Sequence, residues 1–459
     1  MTAVSFSSAS EAQLTGRWTD VFRADAMVHV LLMASIVFAT FQGYIKDRVA
    51  GPAGYVLADG AFALAVLVWF GSVALRRESI RGPGALPVLL LVIICVPILY
   101  LLHPGTPLLV KFAGLRAWSV FPLAAVIALS VVRNAGQVRA YTGLILALCI
   151  VTALYGIYQY TRGPSVVLDA GSLALERHGT SIYYTIAGAE GSGFRAFSTF
   201  TFPAPFAGMM VFGILLAAGI VVARVWRLRA RWMAALLIPL YFAGMTVSGT
   251  RAALIVLVAG LLTLAWFRRL SIAQILLIPI VALAVHIGTI LTAGQITERY
   301  RSVLIQEGLL WMYLTLPVRT AYNYLTEHPF GLGLGRTGVG VPFAITNRMP
   351  NDYFVFTDGD IGRAGVELGI VGLVVLVLIM IALFRYIPWA IRTLREGPAA
   401  DFALGAGSLV FATALLLLIG SPFSAVPHGI IWWFFFGALI KLALLEYDRQ
   451  VAAAQPEPA

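Results

Sequence analysis

Apolar residues run through this chain in long unbroken stretches, and polar residues gather in the short gaps between them. A run such as LLLVIICVPILYLL, residues 89–102, carries no charge at all. A helix crossing the hydrocarbon core needs about 20 such residues, because each rises ~1.5 Å through a layer of ~30 Å. On this criterion the pattern predicts twelve spans, at 26–43, 56–75, 85–102, 115–132, 141–159, 202–222, 232–249, 252–267, 273–293, 365–384, 402–420 and 430–446. Only the turn Gly249-Thr250-Arg251 separates the seventh from the eighth, so eleven is the other reading. The expected fold is an all-α polytopic membrane protein, a single membrane domain over 1–459. Two long loops interrupt it, 160–201 and 294–362, the second partly helical. In that second loop LPVRTAYNYLTEH reads as a helix with Pro317 in its first turn and Val318, Ala321, Tyr322 and Leu325 on one face. The tail, 447–459, is expected to be disordered and cytoplasmic.

Basic residues orient these spans. One set of short loops holds Arg76, Arg77 and Arg81, then Arg133 and Arg139, Arg224 to Arg231, Arg268 and Arg269, and Arg385 to Arg395. The opposite short loops hold few, among them Lys46, Arg48, Lys111, Arg116 and Arg251. The positive-inside rule makes the first set cytoplasmic, with both termini inside and both long loops outside.

Composition agrees. Sixty per cent of residues are apolar and 12% charged, against roughly a quarter charged in soluble domains. The net charge of +11 follows from basic cytoplasmic loops and gives no reason to expect a nucleic-acid partner. Cys95 and Cys149 both fall inside apolar runs, which excludes a disulfide framework. The polar, Ser-rich beginning of the chain has no early apolar stretch, so no cleavable signal peptide is expected.

The candidate chemistry is cationic and lies outside. Arg195, Arg251, Arg299, Arg301, Arg319, Arg336 and Arg363 all fall in segments assigned to the outer face. A guanidinium is charged at any working pH and its planar fork matches phosphate oxygens, so several converging there would suit a diphosphate. In FTDGDIGRAGVELG the carboxylates Asp358, Asp360 and Glu367 open the tenth span. They suit either capping of that helix or removal of a proton from a hydroxyl, and Asp360 could pair with Arg363 three residues on. GLGLGRTGVG contains G-x-G-x-x-G, but no strand precedes it, so its glycines are expected to let a re-entrant loop approach other backbone. His328 and His428 are isolated, His286 is expected to be packed within a span, and no metal site or cofactor is expected. Asp59 reads as a lone intramembrane carboxylate.

Four stretches, in order from Phe194 to Val375, resemble motifs of the O-antigen ligase and polymerase superfamily of bacterial envelope glycosyltransferases: FRAFSTFTFPAPFAGMM, VSGTRAAL, VRTAYNYLTEHPFGLGLG and DGDIGRAGVELGIVGL. The resemblance implies a GT-C-like fold and sets Arg251 and Arg319 on functional arginines. It sets Asp358 where ligases of lipid A core carry a histidine and polymerases often an acidic residue. It therefore implies a metal-independent, inverting polymerase of undecaprenyl-diphosphate-linked repeats for O-antigen or exopolysaccharide, at the periplasmic face of the bacterial inner membrane. Arg251, Arg319 and Asp358 would be catalytic. Arg195, Arg299, Arg301, Arg336, Asp360, Arg363 and Glu367 would bind substrate. Expected partners are the polyprenyl-diphosphate-linked oligosaccharide, the lipid bilayer, a flippase and a chain-length regulator. A ligase or protein O-oligosaccharyltransferase of the same superfamily is the alternative enzyme. A multi-span transporter is the alternative class, disfavoured because the charges crowd one surface instead of the bilayer midplane.

Overall fold

The computed structural model describes residues 8–48, 53–76, 82–163, 166, 194–223, 225–268, 309–338, 341, 349–350, 353–355, 357, 359–415, 417, 420 and 426–454. Among these residues there is no β-strand. The helices are α1 (Ser8–Thr40), α2 (Gln42–Arg48), α3 (Ala53–Arg76), α4 (Leu86–Leu99, prolonged by a 3-10 turn to Leu102), α5 (Leu108–Leu115), α6 (Leu123–Val131) and α7 (Ala135–Arg162). They continue as α8 (Pro203–Val222), α9 (Leu228–Val247), α10 (Arg251–Arg268), α11 (Leu309–Glu327), α12 (Gly359–Leu394), α13 (Ala400–Leu415) and α14 (His428–Ala454). A π-helical turn, Arg116–Val120, joins α5 to α6.

Eight of these helical segments are long and apolar enough to cross a membrane, and three shorter apolar helices accompany them at Ala24–Thr40, Leu86–Leu102 and Ala400–Ala414. Together they fall on eleven of the twelve positions expected from the apolar runs, whereas the span expected at 273–293 lies outside the described residues. The chain is a multi-pass membrane protein.

Burial separates the centre from the periphery. The apolar windows of α8 and α14 are 78% and 83% buried inside the protein, against 28% for α3 and 33% for α9. A helix apolar on every side belongs either inside a bundle or against lipid, and both cases occur here. On α14 the run Ile430 to Phe436 is wholly interior, whereas Leu67, Phe70 and Leu75 of α3 and Trp232, Met233 and Leu236 of α9 face outward. Small residues let the central backbones approach: Gly219 of α8 lies against Gly405 of α13.

Charged residues mark two opposite ends. At one end Asp25 of α1 pairs with Arg76 at the end of α3 and with Arg133 just after α6. Arg139 of α7 pairs with Asp401 at the start of α13, whose other partner is the indole nitrogen of Trp226, 2.6 Å away. The opposite end holds the turn between α9 and α10, helix α11 and the start of α12.

The structure corrects four local expectations. Helix α11 begins at Leu309, so Pro317 sits in its interior instead of its first turn. Pro317 and Ala321 turn inward against Gly362 and Gly365 of α12, and of the residues expected on one face with Ala321, Val318 and Tyr322 are exposed. The tail expected to be disordered from 447 is helical through Ala454, since the Arg449–Glu446 ion pair and an alanine run favour continuation. Asp59 is not alone: it forms an ion pair of 2.6 Å with Arg116 on the π-helical turn, a contact across 57 residues that no local pattern announces.

Candidate anion-binding site

The end that holds the α9–α10 turn is built on residues 194–201, which form no helix yet are fixed from several sides. Ser198 adopts a left-handed φ of 55°, which costs a non-glycine residue roughly 1 kcal/mol or more. Gln159 of α7 holds it there, accepting from the Ser198 amide at 2.7 Å and donating to its carbonyl at 3.0 Å. The Ser198 hydroxyl donates to the Thr152 carbonyl and the Thr199 hydroxyl to the Thr40 carbonyl. Ala196 donates its amide to the Val247 carbonyl at the end of α9. Arg195 stands immediately before Ala196, the first of these anchors in the chain.

Arg195 reaches across to the α9–α10 turn. Its Nε donates to the Ser248 carbonyl at 3.0 Å and an Nη to the Thr250 hydroxyl at 3.1 Å. The next residue is Arg251, first residue of α10. Two guanidinium-bearing residues therefore meet at a helix N-terminus, where unpaired amides already create positive potential. Arg195 is balanced by the α9 C-terminus, whose cap carbonyl at Ser248 accepts from its Nε, whereas Arg251 begins α10 and has no such compensation among the described residues. The Arg251 side chain forms no ion pair or hydrogen bond with a described residue, and its Nε is buried without a partner.

A second part of this end is made by the glycine-rich loop after α11. Helix α12 is broken at Gly369, with φ 61° and ψ −141°, a conformation open to glycine. The break frees carbonyls of the preceding turn, and the loop docks on them. Leu332 donates its amide to the Val366 carbonyl at 2.7 Å and Gly333 to the Glu367 carbonyl at 3.0 Å. The Tyr100 hydroxyl donates to the Leu368 carbonyl at 2.7 Å, and Ile370 donates its amide to the Pro329 carbonyl at 2.9 Å. At Gly331, φ 78°, a side chain would strike the Glu367 carbonyl, which is why glycine stands there. The glycines of this loop thus serve close backbone contact, as expected from the sequence.

This docking presents Arg336 and Thr337. The Arg336 guanidinium lies 4.0 Å from the centroid of the Tyr353 ring, and its carbonyl accepts from the Val355 amide at 2.9 Å. Thr337 turns the other way, its hydroxyl donating to Glu367 at 2.5 Å. Glu367 is fully buried and also accepts from Trp118 at 2.8 Å and from Arg363 at 3.2 Å. Arg363, itself 1% exposed, lies over the Trp118 ring and donates to the Gly114 carbonyl at 3.4 Å. Arg363 thus reaches forward to Glu367 and not back to Asp360, and both members of the pair are engaged by the protein's own interior. Asp360 is buried in the first turn of α12, where a carboxylate complements the helix dipole.

Arg319 projects from α11 into solvent, with no ion pair to a described residue. Arg299, Arg301, Asp358 and His286 lie outside the described residues. His328 is exposed at the start of the loop, and His428 is buried at the head of α14 between Phe200 and Phe212. The geometry therefore brings Arg195 to the α9–α10 turn that carries Arg251, pairs Arg363 with Glu367, and stacks Arg336 on Tyr353. Sequence reasoning missed Gln159, Trp118 and Tyr353, whose roles depend on long-range contacts; only the aromatic character of Tyr353 beside a basic loop hinted at its own. No protein-family model matches this chain, and no curated protein sequence matches it.

Proposed function

We propose that this protein is a membrane glycosyltransferase that polymerises polyprenyl-diphosphate-linked oligosaccharide repeats at the periplasmic face of a bacterial inner membrane. One contrast supports the reading. Arg76, Arg133 and Arg139, at the end bearing Asp25 and Asp401, have carboxylate partners. At the opposite end, Arg251 and Arg336 have no carboxylate partner among the described residues, and the Nε of each is buried and open. An open Nε is shared by Arg76 and Arg116, so what sets Arg251 and Arg336 apart is the missing carboxylate, whose place at a guanidinium an anionic ligand can take. An anion attached to a lipid can fill that place at a membrane surface.

In this reading the carrier-linked chain is the donor. The acceptor hydroxyl oxygen bonds to the anomeric carbon as the bond from that carbon to the diphosphate oxygen breaks, with inversion. The diphosphate leaves as an anion, and Arg195 and Arg251, with Arg319 from α11, stabilise the charge that develops on it. The hydroxyl proton passes to a carboxylate, for which Asp358 is the candidate. Glu367 and Arg363 hold the docked loop in place from behind.

The test is turnover of a polyprenyl-diphosphate oligosaccharide by the protein reconstituted in liposomes. Arg251→Lys and Arg319→Lys keep the charge and lose the fork, and each should reduce the rate about 100-fold or more, the scale of removing one charge-stabilising donor. Polymer of normal length and yield from Arg251→Lys would defeat the assignment. Asp358→Asn should abolish polymer with protein levels unchanged, and full activity there would remove the base.

A further inference from the structure

Arg336 and Tyr353 carry an observation that the diphosphate clamp does not use. Tyr353 comes from a different stretch of chain, and its ring forms a platform under the guanidinium at 4.0 Å. Three further contacts keep the pair in register. Val355 donates its amide to the Arg336 carbonyl at 2.9 Å, Tyr353 donates its amide to the Pro350 carbonyl at 3.0 Å, and Phe354 packs edge-on against the Tyr353 ring at 5.0 Å. The loop bearing Arg336 is itself fastened to the break in α12. Yet Nε of Arg336 and the hydroxyl of Tyr353 are both buried and both without a hydrogen-bond partner among the described residues.

An open Nε over an aromatic ring occurs also at Arg116 above Phe121; what the Arg336 stack adds is a second open donor, the hydroxyl of its own platform ring. Here a polar group of each member of the stacked pair is buried and unpartnered. A planar cation stacked on an aromatic ring presents its edge as a set of donors, and the phenol adds a further donor beside it. The complementary ligand is an oxygen anion small enough to be gripped at that edge.

We infer that Arg336 and Tyr353 form a second anion subsite, distinct from Arg195 and Arg251, that takes an acidic substituent such as the carboxylate of a uronic acid or a phosphate on a saccharide. The inference rests on the glycosyltransferase reading only for the saccharide that carries the anion. The subsite would select acidic repeat units and hold them at the glycine-rich loop, away from the carrier diphosphate. Tyr353 acts by donating its hydroxyl to the anion while its ring fixes the guanidinium.

Calorimetric titration in lipid nanodiscs with inorganic phosphate, and separately with glucuronate, tests this. Arg251→Lys serves as the background, so that the clamp does not obscure the second subsite. Adding Tyr353→Phe keeps the ring and removes only the hydroxyl, and should weaken binding of the preferred anion about tenfold, equivalent to about 1.4 kcal/mol. Arg336→Lys in the same background should weaken it at least as much. The arm with the tighter binding identifies the source, carboxylate or phosphate. Equal affinity with and without the Tyr353 hydroxyl, or no binding of either anion in the Arg251→Lys background, overturns the subsite. Failure of the clamp reads out separately, as identical phosphate binding by wild type and Arg251→Lys.

Discussion

Replacing Glu367 by glutamine tests how the glycine-rich loop is held. The carboxylate is fully buried and accepts from Trp118, Thr337 and Arg363 at 2.8, 2.5 and 3.2 Å. Glutamine has nearly the same shape. With its oxygen toward Trp118 and Arg363 and its amide donating to the Thr337 hydroxyl, the side chain keeps most of these contacts. What it loses is the charge opposite Arg363, whose guanidinium is 1% exposed. Removing one member of a buried pair costs about 3–5 kcal/mol, and retention of the hydrogen bonds sets Glu367→Gln near ~3 kcal/mol. Arg363→Met, which strands the carboxylate and loses the Trp118 stack, should cost at least as much. The double variant has neither stranded charge, so its cost should fall short of the sum of the singles by about 1.5 kcal/mol or more, within the range found for contacting pairs. Reversible unfolding in mixed detergent micelles, followed by circular dichroism, measures all three. A Glu367→Gln cost below ~1 kcal/mol, or additive singles, would refute the claim that this pair is electrostatically coupled.

The same physics sets other expectations. Gly369→Ala puts a Cβ into the Pro329 carbonyl at a φ of 61°, and should free the docked loop, seen as proteolytic cleavage within residues 328–338 that the wild type resists. Gln159→Leu removes both bonds that hold Ser198 in its left-handed conformation, and should raise amide hydrogen exchange at Ser198 to Phe200 by about tenfold, or ~1.4 kcal/mol of local opening; unchanged exchange would remove Gln159 from the platform. Asp59→Asn removes the carboxylate partner of Arg116, whose side chain is 14% exposed, from a membrane-spanning helix, and should cost about 1 kcal/mol or more; no measurable loss in the same unfolding assay would contradict the pairing.

The features legible in the residues are those that depend on a local pattern. Long apolar runs locate the helices because the bilayer demands a fixed length, and the Gly249-Thr250-Arg251 turn is visible as the one interruption between two runs. The glycines at 331, 333 and 335 mark a loop in close backbone contact because no side chain would fit. The break at Gly369 is hidden, since a glycine inside an apolar stretch reads equally as helix. Asp59 with Arg116, Glu367 with Trp118, and Arg336 with Tyr353 bring together residues 57, 249 and 17 positions apart. Such pairings arise only when segments distant in the chain pack together. The inward face of α11 escapes the pattern for a related reason: Gly362 and Gly365 of α12 make room for Pro317 and Ala321, and a partner's shape is not written in the helix that meets it.

The most direct trial of the central idea is the affinity of purified protein for a polyprenyl diphosphate in nanodiscs, measured beside the matching monophosphate. Guanidiniums gathered at the start of α10 should favour the diphosphate by about tenfold or more, the equivalent of one further charge-assisted contact, and Arg251→Lys should erase most of that preference. Equal affinity for the two lipids, or a preference that survives Arg251→Lys intact, would contradict it.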